Sequence, residues 1–373
     1  MSNQPSHISN YRYVIGILAA FIGFSTTLSY LAIGPIAPLI TTDYGVANRT
    51  VGLLTGIVAL VHIPFAIPTS MLVGRMSPKI PIFIGGLTGA APLFSFMATD
   101  NFALLLGLRA VYGMSLLFVV SAIGPLFMQW FPQRELPLVN GAFALSASLG
   151  IATSASITAP LSGAFGWEVV LSAFGGISLL AACSWLLFGK AQRIHIYHQP
   201  APLTALVKDV LKARNTSLVG LVDAGPHAFL AASLAWLPAL YHKAHGISLT
   251  AASMYTGTMS LAGLVALLLA SLLASRTRRR RSFLIIPGIF AGFSGLTVLI
   301  LPDSVTLYIA MATVGFTLWF YIPALLTIPM DMYPDDPQRV SLIFAMIISM
   351  TGITGAIAPP AVGAIADLTG SLI

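Results

Sequence analysis

Residues 104–128 read LLLGLRAVYGMSLLFVVSAIGPLFM, an apolar run whose single charge is that of Arg109. About 20 apolar residues at a rise of 1.5 Å per residue cross the hydrocarbon core of a bilayer, so this run is predicted to be a membrane-spanning helix. Arg109 is the one basic residue of the chain that lies inside an apolar run rather than at its end. Because a guanidinium costs roughly 2.5–3.5 kcal/mol at the centre of a membrane helix, we expect it to face the interior of a bundle or a wet cavity.

The composition of the whole chain is that of a membrane protein. Of the 373 residues, 57% are hydrophobic and 8% are charged, and the mean hydropathy is +0.90. A soluble domain carries about 25% charged residues, which excludes that class. The single Cys183 excludes a disulfide framework. Residues 1–10 lack the charged region and the cleavage site of a secretory signal, so we expect the first span to be retained.

Hydropathy divides the chain into eleven apolar spans, and the basic residues between them predict their orientation. The spans lie near 14–38, 51–73, 82–98, 102–128, 136–160, 168–188, 217–240, 251–274, 283–301, 304–330 and 340–364. When the connections are assigned alternately to the two sides, fifteen of the 18 Lys and Arg residues fall on one side, two on the other, and Arg109 lies within a span. The positive-inside rule therefore predicts a multi-pass protein of the plasma membrane whose N-terminus is cytoplasmic.

Two hydrophilic connections are longer or more basic than the rest. The run of arginines at 276–281 resembles a nucleic-acid patch, but after an apolar span it is interpreted as a cytoplasmic loop that lies near anionic lipid headgroups, without a nucleic-acid partner. Residues 189–216 form the longest hydrophilic connection, and the spacing of apolar residues over 203–214 predicts a helix lying on the membrane surface. We interpret this connection as the linker between two halves of the chain.

The two halves of the sequence resemble each other at an offset of 199 to 205 residues. The matched pairs are Pro160 with Pro359, Gly150 with Gly352, Gly45 with Gly246, Pro38 with Pro238, and Arg75 with Arg276. Since six spans precede the linker, the repeats share one orientation in the membrane, as in transporters built from two six-helix bundles. The expected domains are an N-terminal bundle at 1–188, the linker at 189–216 and a C-terminal bundle at 217–373. The sixth span has no counterpart after the eleventh, and we expect the missing twelfth span to reflect truncation.

Short motifs within this repeat resemble those of the major facilitator superfamily, and the resemblance extends over essentially the whole chain. The fourth helix of that family carries Arg-x-x-Gln-Gly, and here the string is Arg109-x-x-Tyr112-Gly113. The family's loop between helices 2 and 3 reads Gly-x-x-x-Asp-Arg-x-Gly, where this chain has Gly74-Arg75 in place of Asp-Arg. The resemblance implies an all-α fold of two six-helix bundles, alternating access, and gating-loop roles for Arg75 and for Arg276 of the second half. The aspartate thought to hold helix 2 against helix 11 is absent.

Two further strings resemble particular branches of that family. The sequence Ala235-Trp-Leu-Pro-Ala239 is similar to the cyanate permease-like branch, which is associated with small anions and polar metabolites. The string Ala159-Pro160-x-x-Gly163 is similar to the antiporter motif of drug exporters, although alanines stand where glycines are usual. A small anionic or polar solute is therefore the leading expectation, and a drug or metabolite efflux antiporter is the alternative.

Few ionisable side chains lie inside the predicted spans, so each is a candidate for solute or proton binding. Arg109 is interpreted as an anion contact, the alternative being a structural arginine bonded to helix carbonyls. Asp223 and His227 lie four residues apart on one helical face around Gly225-Pro226, a predicted helix break, and form a candidate proton-coupling pair. The alternative places Asp223 at the headgroups as a helix cap. The lone His62 is a candidate solute contact or a hydrogen-bonding partner of a neighbouring helix.

Neutral polar residues add candidates for solute binding in spans 1 and 10. Thr26 and Tyr30 are spaced one turn apart in a hydroxyl-rich stretch, and they either bind a polar solute or join helices. Tyr321 either lines a cavity or packs against lipid.

Transport is the function class that these features favour. The sequence lacks the Gly-x-x-x-x-Gly-Lys-Ser/Thr string of ATP-driven motors and the nucleophile and zinc motifs of hydrolases, so we expect no enzyme activity and no cofactor or metal. The expected protein is a secondary transporter that acts as a monomer, with proton coupling left open.

Overall fold

The computed structural model describes residues 9–46, 48–191, 208–210, 212–245, 249–277, 279–301 and 305–369, and these contain helices and no β-strand. In the first half α1 is Tyr11–Thr27, α2 Ile33–Tyr44, α3 Asn48–Val73, α4 Lys79–Gly89, α5 Phe102–Trp130, α6 Leu136–Phe165 and α7 Trp167–Phe188, with a 3₁₀ helix at Ala91–Met97. In the second half α8 is Arg214–Val222, α9 Ala224–His245, α10 Leu249–Ser275, α11 Arg280–Ile300, α12 Val305–Phe320, α13 Ile322–Met332 and α14 Pro337–Thr369.

Each predicted apolar span coincides with one helix or with two consecutive helices. Within the described residues, nine helices or merged helices are long and apolar enough to cross a membrane, and α1 is apolar but shorter. The predicted all-α polytopic fold is therefore confirmed. The surface helix predicted at 203–214 and the region of a twelfth span lie largely or wholly outside the described residues. The proposed division at 189–216 stays a prediction.

Four predicted spans are broken, and a proline follows each break. The prolines are Pro35 in α2, Pro92 in the 3₁₀ helix, Pro226 in α9 and Pro323 in α13. Proline lacks the N–H that would bond the carbonyl four residues earlier, so a helix tends to end before it and can restart with proline in its first turn. The break was predicted at Gly225-Pro226 and falls at Asp223. Pro226 has no N–H to donate to the carbonyl of Val222, so α8 ends at Val222.

The same helix crossing occurs in both halves, as the sequence repeat predicts. In the first half, a Cβ on Gly113 of α5 would lie 3.2 Å from the Cα of Val58 in α3. In the second half, Gly315 of α12 lies against the backbone of Met259 in α10. Both glycines allow two helix backbones to approach closely, the arrangement that small residues provide in membranes. The pairs are offset by 202 and 201 residues, within the offset of the sequence repeat.

We predict that Gly315→Ala destabilises the protein, by about 1–3 kcal/mol, because the new methyl group would overlap the Met259 carbonyl and force α10 and α12 apart. The matched control is Gly288→Ala in α11, where no atom lies within 4 Å of the Cβ position and stability should be unchanged or higher. Thermal unfolding in detergent would measure both. Equal melting temperatures for Gly315→Ala and the wild type would contradict this crossing.

The two halves contact each other mainly through α3 with α14 and through α6 with α10. Near the loops that hold most arginines, Gly124 of α5 lies directly against Phe344 of α14, and Ala66, Leu117 and Ala345 form one buried cluster. Side chains 340–347 of α14 are all buried, whereas Ile357 further along the same helix is 60% exposed. The halves are thus closed at the end of the bundle that carries the basic loops.

Candidate functional site

Arg109 on α5 is 2% exposed and bridges three segments of the first half. Its Nε donates to the carbonyl of Leu54 in α3 at 2.9 Å, and its two terminal nitrogens donate to the carbonyls of Ser29 at 2.7 Å and Tyr30 at 3.3 Å. Ser29 and Tyr30 belong to the break between α1 and α2, where carbonyls lack helical partners. The guanidinium also lies 4.9 Å from the ring centre of Tyr112. These contacts match the structural alternative, and the predicted anion contact stays a prediction.

The hydroxyls of the first span are directed mainly at backbone carbonyls. Thr26 is fully buried and donates to the carbonyl of Ile22 at 2.7 Å, while its own carbonyl accepts from Tyr112 at 2.7 Å. Thr27 donates to the carbonyl of Ala147 on α6 at 2.8 Å. Tyr30 packs beside Tyr112 in a small apolar cluster. The bonds of Thr27 and Tyr112 join helices, whereas the Thr26 hydroxyl bonds within α1. Solute binding by Thr26 and Tyr30 stays a prediction.

His62 lies midway along α3 and is 6% exposed. Its Nε2 lies 3.0 Å from the carbonyl oxygen of Gly113 on α5. A carbonyl can only accept a hydrogen bond, so Nε2 carries a hydrogen. In the neutral ring Nδ1 then carries none. Gly113 is one helical turn, roughly 6 Å, from Arg109 along α5, so His62 lies deeper in the bundle than the arginine.

Asp223 and Tyr321 bring the breaks of two spans together. Asp223 separates α8 from α9, and Tyr321 separates α12 from α13. The Tyr321 hydroxyl donates to Oδ1 of Asp223. Tyr321 is 5% exposed and Asp223 is partly exposed, so the carboxylate is held within the second half while remaining accessible. This contact places Tyr321 inside the bundle rather than against lipid, and it places Asp223 beyond the first helical segment of its span.

His227 connects this pair to His62 across the two halves. His227 lies one turn after Asp223, on the same helical face. Both histidines lie beside the same turn of α14: a Cβ on Gly352 would lie 3.5 Å from the Cβ of His62, and a Cβ on Gly355 would lie 3.1 Å from Nε2 of His227. His62, His227, Asp223 and Tyr321 therefore form one group, which we call the central cluster.

The predicted gating-loop residues lie away from the central cluster. Arg75 and Arg276 are both exposed in turns that follow α3 and α10. In the loop after α3, the contact between the halves uses the backbone of Gly74 rather than the side chain of Arg75. The side chain of Gln338 in α14 donates to the carbonyl of Gly74 at 2.9 Å. In the second loop Arg280, rather than Arg276, forms an ion pair with Asp331 at 2.9 Å. The gating roles of Arg75 and Arg276 stay predictions.

Sequence reasoning matched Gly352 with Gly150 in the repeat but did not connect Gly352 or Gly355 with the histidines. The available signal was their spacing of three residues, which places both glycines on one helix face. Within the described residues, no group of three or more His, Cys, Asp and Glu side chains is arranged to hold a metal ion.

Two repeated halves of apolar helices, closed at one end and with ionisable side chains at mid-depth, define a multi-pass membrane transporter of the alternating-access kind. A sequence profile of the Major Facilitator Superfamily matches residues 19–359, and the chain belongs to that family. The predicted class, a secondary transporter of small solutes, is confirmed by this membership, and the family implies transport rather than catalysis.

Several named proteins are similar to this chain. It is 30% identical over 190 residues to the 4-hydroxybenzoate transporter PcaK of Pseudomonas aeruginosa, in an alignment covering 50% of this chain and 41% of PcaK. It is 24% identical to the probable nitrate transporter NarT of Staphylococcus carnosus, over 49% of this chain and 46% of NarT. Each alignment spans less than half of the named transporter. Among solved structures, the fucose:proton symporter FucP of E. coli superposes with a TM-score of 0.79 at 15% identity, over 97% of this chain and 94% of FucP.

Proposed function

We propose that this chain transports a small anionic or polar solute across the plasma membrane together with protons. The central cluster is the observation that supports the proposal, because it groups a carboxylate and two imidazoles that come from both halves of the chain. Asp, Glu and His side chains inside membrane helices are the usual elements of proton pathways in transporters. A group that lies where both halves meet can change its exposure from one side of the membrane to the other when the halves rock.

Asp223 has the environment of a proton-binding carboxylate. Its described partners are the Tyr321 hydroxyl and His227, and it belongs to none of the ion pairs found among the described residues. An ionised carboxylate inside a membrane protein is costly without a cationic partner, and binding a proton removes that cost. Asp223 can therefore bind a proton from one side and release it to the other as its surroundings change.

The solute class is proposed from the charges of the pathway and from the named relatives. His62 and His227 can acquire positive charge, against one carboxylate, Asp223, so an anion is favoured over a cation. The substrates in the names of the similar transporters, 4-hydroxybenzoate and nitrate, are both anions. A small carboxylate or inorganic anion therefore fits the pathway better than a bulky cationic drug.

The orientation follows from the basic loops. Because the loops with most Lys and Arg residues lie at the closed end of the bundle, that end is proposed to face the cytoplasm, with the N-terminus on the same side. The arginines at 279–281 are proposed to lie near anionic lipid headgroups. All residues of the central cluster come from one chain, which is consistent with a transporter that acts as a monomer.

The proposal is tested in proteoliposomes with an imposed pH difference of one unit, acidic outside. A pH difference of one unit is worth about 1.4 kcal/mol per proton, so coupling of one proton per solute should give about tenfold accumulation of radiolabelled 4-hydroxybenzoate or nitrate. Protein-free liposomes are the essential control, because the neutral form of a weak acid crosses lipid unaided. Accumulation that is independent of the pH gradient would contradict proton coupling. Solute leaving the vesicles as protons enter would assign antiport, the efflux alternative.

A further inference from the structure

The central cluster contains two imidazoles that come from opposite halves of the chain and lie beside a single turn of α14. Gly352 and Gly355 lie on one face of that turn, Gly352 beside the Cβ of His62 and Gly355 beside the ring of His227. A side chain at Gly355 would fill part of the space that the His227 ring occupies. His62 belongs to the first half and His227 to the second, so the separation of the rings depends on how the two halves are arranged.

The hydrogen bond of His62 restricts what its ring can offer to a solute. Its Nε2–H is committed to the carbonyl of Gly113 at 3.0 Å. In the neutral ring Nδ1 therefore has a lone pair and no hydrogen, so it can only accept. His62 can donate to an anion from Nδ1 only after that nitrogen has bound a proton. An anion that takes a hydrogen bond from His62 must therefore arrive with a proton.

We propose that a carboxylate group of the solute binds between His62 and His227, and that Nδ1 of His62 binds one proton in the same step. This inference rests on the proposed function and identifies the place of its anionic group. One proton from the outer solution and one carboxylate enter together, an N–H···O hydrogen bond forms, and the charge of the site is unchanged. Both leave together when the halves open to the other side, and no covalent bond is made or broken.

The other charged groups around His62 are few. His227 and, behind it, Asp223 approach from the second half. On α5, Arg109 and Tyr112 are directed at carbonyls of other segments. α14 contributes no titratable side chain between Arg339 and Asp367. A bound anion between the two rings would offset the repulsion that arises when both imidazoles are protonated.

Gly355 acts as a positioning residue for this site. A methyl group there would lie 3.1 Å from Nε2 of His227, closer than ordinary contact, and would push the ring from its place. The equivalent methyl group at Gly352 would lie 3.5 Å from the Cβ of His62, an ordinary van der Waals distance. Gly352→Ala is therefore a matched control three residues away on the same helix face.

The experiment measures binding of 4-hydroxybenzoate to the purified full chain in detergent, by the shift of the thermal unfolding temperature with ligand concentration. The neutral analogue 4-hydroxybenzyl alcohol should give no shift. His62→Gln and His227→Gln should each weaken the binding of 4-hydroxybenzoate about ten- to hundredfold, the range for one hydrogen bond to a charged group. Gly355→Ala should weaken it about tenfold, and Gly352→Ala less than twofold. In weakly buffered solution the wild type should take up one proton per anion bound.

Several results would overturn the site. These are unchanged affinity in both histidine variants, equal affinity in Gly355→Ala and Gly352→Ala, the absence of any shift in the wild type, or binding without proton uptake. Because binding in detergent needs no gradient, the outcome is separable from the transport assay. Histidine-dependent binding with proton uptake supports the site even if gradient-driven accumulation fails, and normal accumulation in both histidine variants rejects the site while leaving the transport proposal intact.

Discussion

Replacement of Asp223 by Asn is expected to reduce the proton-driven accumulation of solute from about tenfold to none, while exchange of solute across the membrane continues. Asn has nearly the same shape as Asp, and its side-chain oxygen can still accept the hydrogen bond from Tyr321. The amide cannot bind and release a proton, so proton entry no longer drives the accumulation of solute. Accumulation under a one-unit gradient and counterflow of labelled solute at equal pH are measured on the same vesicles.

Asp331→Asn is the matched control for this substitution. Asp331 also lies in a membrane span of the second half, but it pairs with Arg280 at the basic end, with 32% of its side chain exposed. Losing that pair should change stability by less than about 1 kcal/mol and leave accumulation unchanged. If Asp223→Asn accumulates solute as the wild type does, Asp223 carries no driving proton. If it loses both accumulation and counterflow, Asp223 is required for solute movement itself rather than for coupling.

The fold was predictable from the sequence because its signals are local. A run such as 102–128 must cross a bilayer as a helix, since lipid offers no partner for an unpaired backbone. The repeat appears as matched glycines and prolines, and the crossing of Gly113 with Val58 recurs as that of Gly315 with Met259. The helix breaks were only partly predicted. A proline shows that a break lies near, but the sequence alone placed it at Gly225-Pro226 rather than at Asp223.

The central cluster was predicted as separate residues and not as a group. Asp223 and His227 are paired by helical spacing, which is readable from sequence. The contact of Asp223 with Tyr321 joins residues 98 positions apart. His62 and His227 are 165 positions apart and lie beside the same turn of α14. No local pattern encodes either arrangement. For the hydroxyls of the first span, the structure shows Thr26 directed at the carbonyl of Ile22, and its role as a solute contact stays a prediction.

Arg109→Ala is expected to lower the stability of the folded protein by several kcal/mol rather than to remove a solute contact alone. The guanidinium donates to the carbonyls of Leu54, Ser29 and Tyr30, and alanine leaves all three without those donors inside the bundle. A buried polar group left unpaired costs about 1–3 kcal/mol, so the sum is a large part of the 5–15 kcal/mol by which proteins are typically stable. The measurements are the yield of monodisperse protein and its thermal unfolding temperature in detergent.

Two variants separate this structural role from the anion contact that the sequence predicted. Arg75→Ala removes an exposed arginine of the same half and should change stability by no more than about 0.5 kcal/mol. Arg109→Lys keeps the charge but lacks the planar fork that reaches two segments at once, so it should be intermediate in stability. A stable Arg109→Ala protein that has lost solute binding would contradict the structural role and restore the anion contact. An unstable protein would instead show that this buried charge holds the break between α1 and α2 against α3.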